Sequence, residues 1–284
     1  MILALTLEKL IESVEDMPSL PQVVTEIIRI SEDPNSTPQD VQKLLAQDQV
    51  LTAKILRLAN SSFYGFARRI NTITEATILL GFQTIRSIVF AASVGNFLTK
   101  SLGGCQLDQN ELWKHSQAVA MTSRYIARQK RFKNPEIFYT AGIIHDIGKL
   151  VLNQYLQEDY QKVLSLIYDE GYDFLKAEET VLGFNHAQTG MKLAEKWNLP
   201  PEMVEAIGCH HSPEEAKINP TLSSVLHISD SIALMMGFGL GIGGLAYNFS
   251  DFALQTTGID GQQIENILPA VTDLMVDKSS FEIF

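Results

Sequence analysis

The sequence predicts an all-α protein of two helical lobes, and three observations carry that expectation. Apolar residues recur every three or four positions through most of the 284 residues, the spacing of one buried helical face. Convincing alternating strand patterns are absent. Prolines and small cap residues, such as Pro18, Pro34, Ser36, Thr37 and Pro38, fall where the apolar runs start and stop.

Composition narrows the class. At 45% hydrophobic and 19% charged, the chain suits a soluble globular protein with a substantial core. Lys and Arg number 22 against 33 Asp and Glu, a formal charge of -11. That field repels phosphates at long range, so no nucleic-acid partner is expected, although a local basic patch or a bound cation can reverse it at one site. Cys105 and Cys209 form no CxxC, which fits a reducing cytoplasm rather than a disulfide framework. The opening "MILALTLEKL" lacks the basic stretch of a signal peptide. The oiliest region, "TILLGFQTIRSIVFAASVGNFL", contains Gln83 and Arg86 and reads as a buried helix pair, so no membrane partner is expected.

In chain order, Leu7, Leu10, Ile11 and Val14 place a first helix, and Val23, Ile27 and Ile30 a second that ends at Pro34. Ser36 or Thr37 caps the next, with Pro38 at an early helical position, and its aliphatic positions continue through Leu51, Ile55 and Leu58. "FYGFARRINTITEA" is a loop in which Arg68 and Arg69 form a solvated basic pair or a small anion site. Asn60 and Ser61 before it are placed to bond backbone at a helix end. Oily helices follow over 74–98; a helix-turn-helix with Gly81 in the turn is the weaker reading, because the second helix is aliphatic. "TKSLGGCQLDQN" (99–110) breaks the composition and marks a boundary between residues 1–105 and 106–284. Beyond it helices are expected at 109–130, 135–156, 158–170, 174–182, 186–197, 200–210 and 220–236. A glycine-rich joint, "GFGLGIGG" (237–244), precedes two short helices; it lacks the lysine of a P-loop and reads as a turn.

The six histidines all lie after the boundary. His115 sits in "LWKHSQAVA", His145 with Asp146 in "TAGIIHDIGKLVLN", His186 in "GFNHAQTG", His210 and His211 before Pro213, and His227 one turn ahead of Asp230 in "LHISDSIA". Each alone has a bland reading as a packed or helix-end residue. Asp146 and Asp230, however, lie among aliphatic neighbours, where an unpartnered carboxylate is costly. A shared divalent cation would satisfy these groups together, since imidazole and carboxylate are the ligands of Mn, Fe, Co and Zn. A carboxylate with two oxygens can bridge two ions, and an ion pair so held can activate water and clamp a phosphoryl oxygen. Lys149, one helical turn after Asp146, faces the same cleft and can hold a phosphate or fix a water. Cys209 reads as a buried helix-end thiol and His227 as a group behind a ligand.

The ordered set His115, His145-Asp146 and Asp230 resembles the HD superfamily of metal-dependent phosphohydrolases, and His186, His210 and His211 resemble the second-metal ligands of HD-GYP phosphodiesterases. The resemblance implies two divalent ions (Fe, Mn, Zn, Ni or Mg). One would take His115, His145, Asp146 and Asp230; the other would take Asp146 as bridge with His186, His210 and His211. It also implies Asp146 and Lys149 as the catalytic pair if the chain is active. "HHSPEEAKINP" stands where the GYP signature would be, which argues against cyclic di-GMP as substrate. "LPQVVTEIIRISEDPNSTPQDVQKLLAQDQVLTAKILRLANSSFYG", "ITEATILLGFQTIRSIV", "LWKHSQAVA" and "VLGFNHAQTGMKLAEKWNLPPEMVEAIGCHHSPE" resemble the HDOD domain over roughly residues 15–250. That resemblance implies a bacterial, cytoplasmic signal-transduction module with protein partners. A phosphohydrolase acting on a nucleotide or other phosphate ester is the alternative.

Overall fold

The computed structural model describes residues 6–13, 22–61, 64–66, 68–98, 110–238 and 249–276. The helices are α1 (Leu7–Ser13), α2 (Gln22–Glu32), α3 (Pro38–Leu45), α4 (Gln49–Ala59), α5 (Ile73–Leu98), α6 (Glu111–Gln129), α7 (Pro135–Ile144), α8 (Ile147–Tyr155), α9 (Gln157–Glu170), α10 (Phe174–Leu182), α11 (His186–Lys196), α12 (Pro201–Gly208), α13 (Pro220–Met235), α14 (Asp251–Thr257) and α15 (Gly261–Val276). No strand occurs among the described residues, so the expected all-α class holds.

Local chemistry starts these helices where the sequence places them. Thr37 opens α3: its N–H and its hydroxyl both donate to the Asp40 carboxylate, at 2.9 and 2.7 Å, and Pro38 follows with its φ already set for a first turn. Asp48 caps α4 by accepting the Leu51 N–H at 2.9 Å. The oily run, α5, is the expected helix pair: its two helical segments meet at Gly81, whose φ of 80° and ψ of 161° are non-helical. Ile73–Gly95 is long and apolar enough to cross a membrane by length and composition, but most of it is buried against α2, α3, α4 and α7, as in a core helix.

In the second half α6 packs on α7 and α13, and α11 on α8 and α12. The helix expected at 135–156 is two helices, broken at His145 and Asp146, where Asp146 sits at φ -96° and ψ 12°. Two close approaches flank the break. A methyl group on Gly142 would lie 2.5 Å from the Ala120 Cα in α6, and one on Gly148 would lie 2.0 Å from the His186 carbonyl oxygen. The segments before and after the break therefore press on different neighbours. Because the first segment is apolar nearly all round, periodicity cannot register a change of direction at its end.

Buried aliphatic residues from Leu10 to Met275 form one connected core across the described residues. The boundary expected at 99–110 lies outside the described residues except for Asn110. Of the glycine-rich joint, Gly237 and Phe238 are described, and Gly237 has φ 80°. Two helices follow the joint as expected, but only α14, with 7 residues, is short; α15 has 16.

Candidate metal centre

Five segments deliver the seven candidate ligands. His115 comes from α6 and Asp230 from α13, helices buried around much of their circumference, so polar groups on their inner faces enter the core. His145 ends α7 and Asp146 starts α8. His210 and His211 follow the end of α12. A capping box sets His186 in place: Asn185 Oδ1 accepts the Gln188 N–H at 2.9 Å, and Gln188 Oε1 accepts the Asn185 N–H at 3.1 Å. That box makes His186 the first residue of α11.

The outer nitrogens fix the rings. His115 Nδ1 lies 2.7 Å from the Phe238 carbonyl oxygen, His145 Nδ1 2.9 Å from that of Gly142, and His210 Nδ1 2.7 Å from that of Ile207. A carbonyl only accepts, so each Nδ1 carries a hydrogen, and in the neutral ring the lone pair is on Nε2, turned inward. For His186 a carboxylate takes the carbonyl's place. Glu178 Oε2 accepts both the His186 backbone N–H at 2.9 Å and its Nδ1–H at 2.7 Å, while Tyr160 Oη donates to Oε1 at 3.0 Å.

Asp146 divides the inner atoms. Its Oδ2 lies 3.4 Å from His115 Nε2 and 3.4 Å from His145 Nε2; its Oδ1 lies 3.3 Å from His186 Nε2 and 3.8 Å from His210 Nε2. Asp230 Oδ1 joins the first group, 3.1 Å from His115 Nε2 and 3.9 Å from His145 Nε2. His211 joins the second, its Nε2 2.9 Å from His186 Nε2. His115 and His145 approach similarly, Nε2 to Nε2 at 3.3 Å. Lone pairs at such distances repel unless a proton or cation lies between them. Asp146 Oδ1 and His210 Nε2 are buried without a hydrogen-bond partner among the described residues, an expensive state that a cation relieves. One donor atom each from His186, His210 and His211, from His115, His145 and Asp146, and from His145, His210 and Asp230 falls within 4.8 Å of its companions. The residues fit a divalent ion, and the imidazole-rich set favours borderline metals over Mg.

Protonation follows the same division. Burial opposes a charge on Asp146, but His145 and then Lys149 hold its carboxyl well below the usual range. Burial likewise opposes a charge on Asp230, and the His115 hydrogen bond and charge overcome it. Burial works against a proton on His145, yet Asp146 beside it raises its affinity for one. On the other side burial, reinforced by His145, pushes His210 down to about 3, and burial with His210 nearby lowers His211 well below its ordinary value. These two rings are neutral near pH 7, the state a metal needs.

Lys149 Nζ lies 2.7 Å from Asp146 Oδ2 and 5.3 Å from the centre of the Phe174 ring. Any phosphate it held would share the ammonium with Asp146. His227 stays behind the site, as the sequence reading has it: its Nδ1 lies 3.0 Å from the His210 carbonyl oxygen and its Nε2 accepts the Ser250 N–H at 3.0 Å. Burial, with Glu205 next, pushes the Cys209 thiol up to about 11, so it is neither a reactive thiolate nor a ready ligand. Glu178 and Tyr160 escaped the sequence reading. In "LKAEETVLGFNH" Glu178 and Glu179 are adjacent, and nothing local distinguishes the fully buried one from its neighbour.

Against known proteins, the HDOD domain model matches residues 17–213. An HDOD domain protein of unknown function from Geobacter sulfurreducens superposes with a TM-score of 0.81 at 27% identity, covering 99% of this chain and 98% of that one. A protein named "Putative phosphohydrolase" from Shewanella amazonensis SB2B gives 0.74 at 26% identity, covering 95% and 97%. An uncharacterized protein of Treponema pallidum (strain Nichols) is 25% identical over 80% of this chain and 44% of its own length. The chain spans less than half the length of the curated relatives it matches.

Proposed function

We propose that this chain, which belongs to the HDOD family, is a bacterial cytoplasmic signal-transduction module whose histidine-bearing half holds two divalent ions and whose surface engages protein partners. His115, His145, Asp146 and Asp230 would hold one ion, and His186, His210 and His211 the other, with Asp146 between them. Fe, Mn, Ni and Zn suit the donors better than Mg. The observation that carries the reading is the division of the Asp146 oxygens between two histidine groups inside a nearly sealed site. Apart from His211, which is partly buried, no candidate ligand is more than 7% exposed. Ions buried this deeply tie five segments together and suit a scaffold better than rapid turnover on a bulky ester.

A phosphohydrolase is the second reading. It is favoured by the Asp146–Lys149 contact beside the candidate ions and by the Shewanella protein of that name. Bound divalent ions would supply water activation and charge neutralisation at phosphorus. Lys149 would then neutralise Asp146 and orient a phosphate oxygen from a distance of one side chain.

Elemental analysis of the purified chain tests the site. About two ions per chain are expected, and a His145→Ala/Asp146→Ala variant should retain almost none. A phosphodiesterase and phosphatase panel with Mn²⁺ or Fe²⁺ separates the readings. Turnover that disappears in the double variant supports the enzyme. Partner binding that survives in the double variant supports the module. A wild-type chain that binds no divalent metal ends both.

A further inference from the structure

We propose that a cleft in the N-terminal half binds a nucleotide carrying two or more phosphoryl groups, at a place that shares no residue with the metal centre. The cleft has a volume of about 690 Å³, within the range of small-molecule sites. It lies between the last turns of α4 and the loop that follows, and is lined by Arg57, Arg68, Arg69, Phe66, Asn60 and Asn71.

One side chain builds it. Asn60 Nδ2 donates to the carbonyls of Leu56 at 2.7 Å and Ile70 at 2.8 Å, and Asn60 Oδ1 accepts the Ile70 N–H at 2.7 Å. Asn60 thus ties both ends of the loop bearing Phe66, Arg68 and Arg69 to the helix end bearing Arg57. Arg57 and the adjacent pair Arg68 and Arg69 are thereby brought around one concave surface.

The charge there runs against the rest of the molecule. In a chain of net charge -11, the described lining residues include three arginines and no carboxylate. Arg68 pairs with Glu75 at 3.2 Å, but its side chain is 71% exposed and the pair is weak. Among the described residues Arg57 and Arg69 have no ion-pair partner. Guanidinium forks match phosphate oxygens two at a time, and three of them suit more than one phosphoryl group. Phe66 is 36% exposed at the same cleft, where its ring can stack on a base. A site of this size with a ring at one wall fits a mononucleotide better than an extended polyanion.

The test uses the full chain and a fluorescent N-methylanthraniloyl ADP, with ADP and inorganic pyrophosphate as competitors. Saturable binding is expected, weakened about tenfold or more in Arg57→Gln/Arg69→Gln, whose side chains are exposed and whose melting temperature should not move. Phe66→Ala should weaken ADP and leave pyrophosphate unchanged. Binding should persist in Asp146→Asn, or in His211→Ala if the first folds poorly, which separates this cleft from the metal centre. The proposal fails if no saturable binding appears up to about 1 mM. It fails equally if the arginine variant binds like wild type, if Asp146→Asn and His211→Ala abolish binding, or if pyrophosphate binds as tightly as ADP. Retention of a single-stranded oligonucleotide in place of mononucleotides also overturns it.

Discussion

In α2–α5 the buried polar side chains are small hydroxyls: Ser61 donates to the Leu58 carbonyl at 2.7 Å and Thr77 to that of Ile73 at 2.8 Å, while Ser87 also reaches α7, donating to the Glu136 carbonyl at 3.2 Å and accepting from the Thr140 hydroxyl at 2.9 Å. In α6–α13 the buried polar groups include Arg124, Glu136, His145, Asp146, Glu178, His186 and Asp230, charged or imidazole groups that each meet at least one partner from another element, although Asp146 also pairs with Lys149 and His145 with the Gly142 carbonyl one turn away. A hydroxyl satisfied one turn away asks nothing of the tertiary structure. A buried carboxylate or imidazole does, because a charge removed from water must be met by an opposite charge, a proton or a metal. The first half is packed for stability and keeps its arginine cleft at the surface; the second accepts buried charge, which marks where chemistry is held.

The sharpest way to break this comparison is Ile55→Ala. Ile55 is fully buried in the first half, and its truncation should reduce stability by about 2–5 kcal/mol in denaturant unfolding. Metal per folded chain should not change; if it falls as well, the two halves do not divide the labour. Glu178→Gln comes next. It keeps the shape but removes the charge that orients His186, so metal affinity should fall roughly 10–100-fold at the His186 side. Titration with chelator competition should then show one weakened ion and one unchanged; equal weakening of both, or of neither, would contradict the division at Asp146.

pH gives a smaller effect with a definite sign. His210 and His211 take up protons in the unfolded chain below about 6.5 but resist them when folded. Their contribution is therefore lost as pH falls below that value, by up to about 1.4 kcal/mol per pH unit for each ring. His145 has the opposite sign: its folded affinity for a proton is raised, so its contribution is complete below about 6.5 and is lost as pH rises through the higher folded value. Unfolding of metal-stripped protein should show stability falling from pH 6.5 to pH 5, where His145 keeps its full contribution and His210 and His211 lose theirs; a flat profile over that interval would contradict the protonation pattern. Least of all, Thr37→Ala should reduce stability by no more than about 1 kcal/mol, because it removes one exposed hydroxyl bond to Asp40 while the backbone N–H bond remains. Metal content and the pH profile should stay as in wild type.

The helices, their caps and the chemical types of the ligands were legible because they rest on short-range rules. A capping residue acts within four positions, and a buried face declares itself by its period. His227 could be set aside from the ligands for a similar reason, lying one turn from Asp230. The break at His145–Asp146 was not legible, and the contacts that flank it, Gly142 to Ala120 and Gly148 to His186, join elements distant in sequence. Nor was the choice of Glu178 over Glu179, which depends on how α9, α10 and α11 pack.

The amino-acid sequence by itself determined that this protein is helical, where most helices begin and end, and that seven imidazole and carboxylate groups are available to a cation. Tertiary structure alone decided that the two oxygens of Asp146 face different histidine groups, that Glu178 stands behind His186, and that three arginines share a cleft. The reason is physical: hydrogen bonds and caps close over a few residues, whereas the direction of a buried side chain is set by whichever distant element fills the space in front of it.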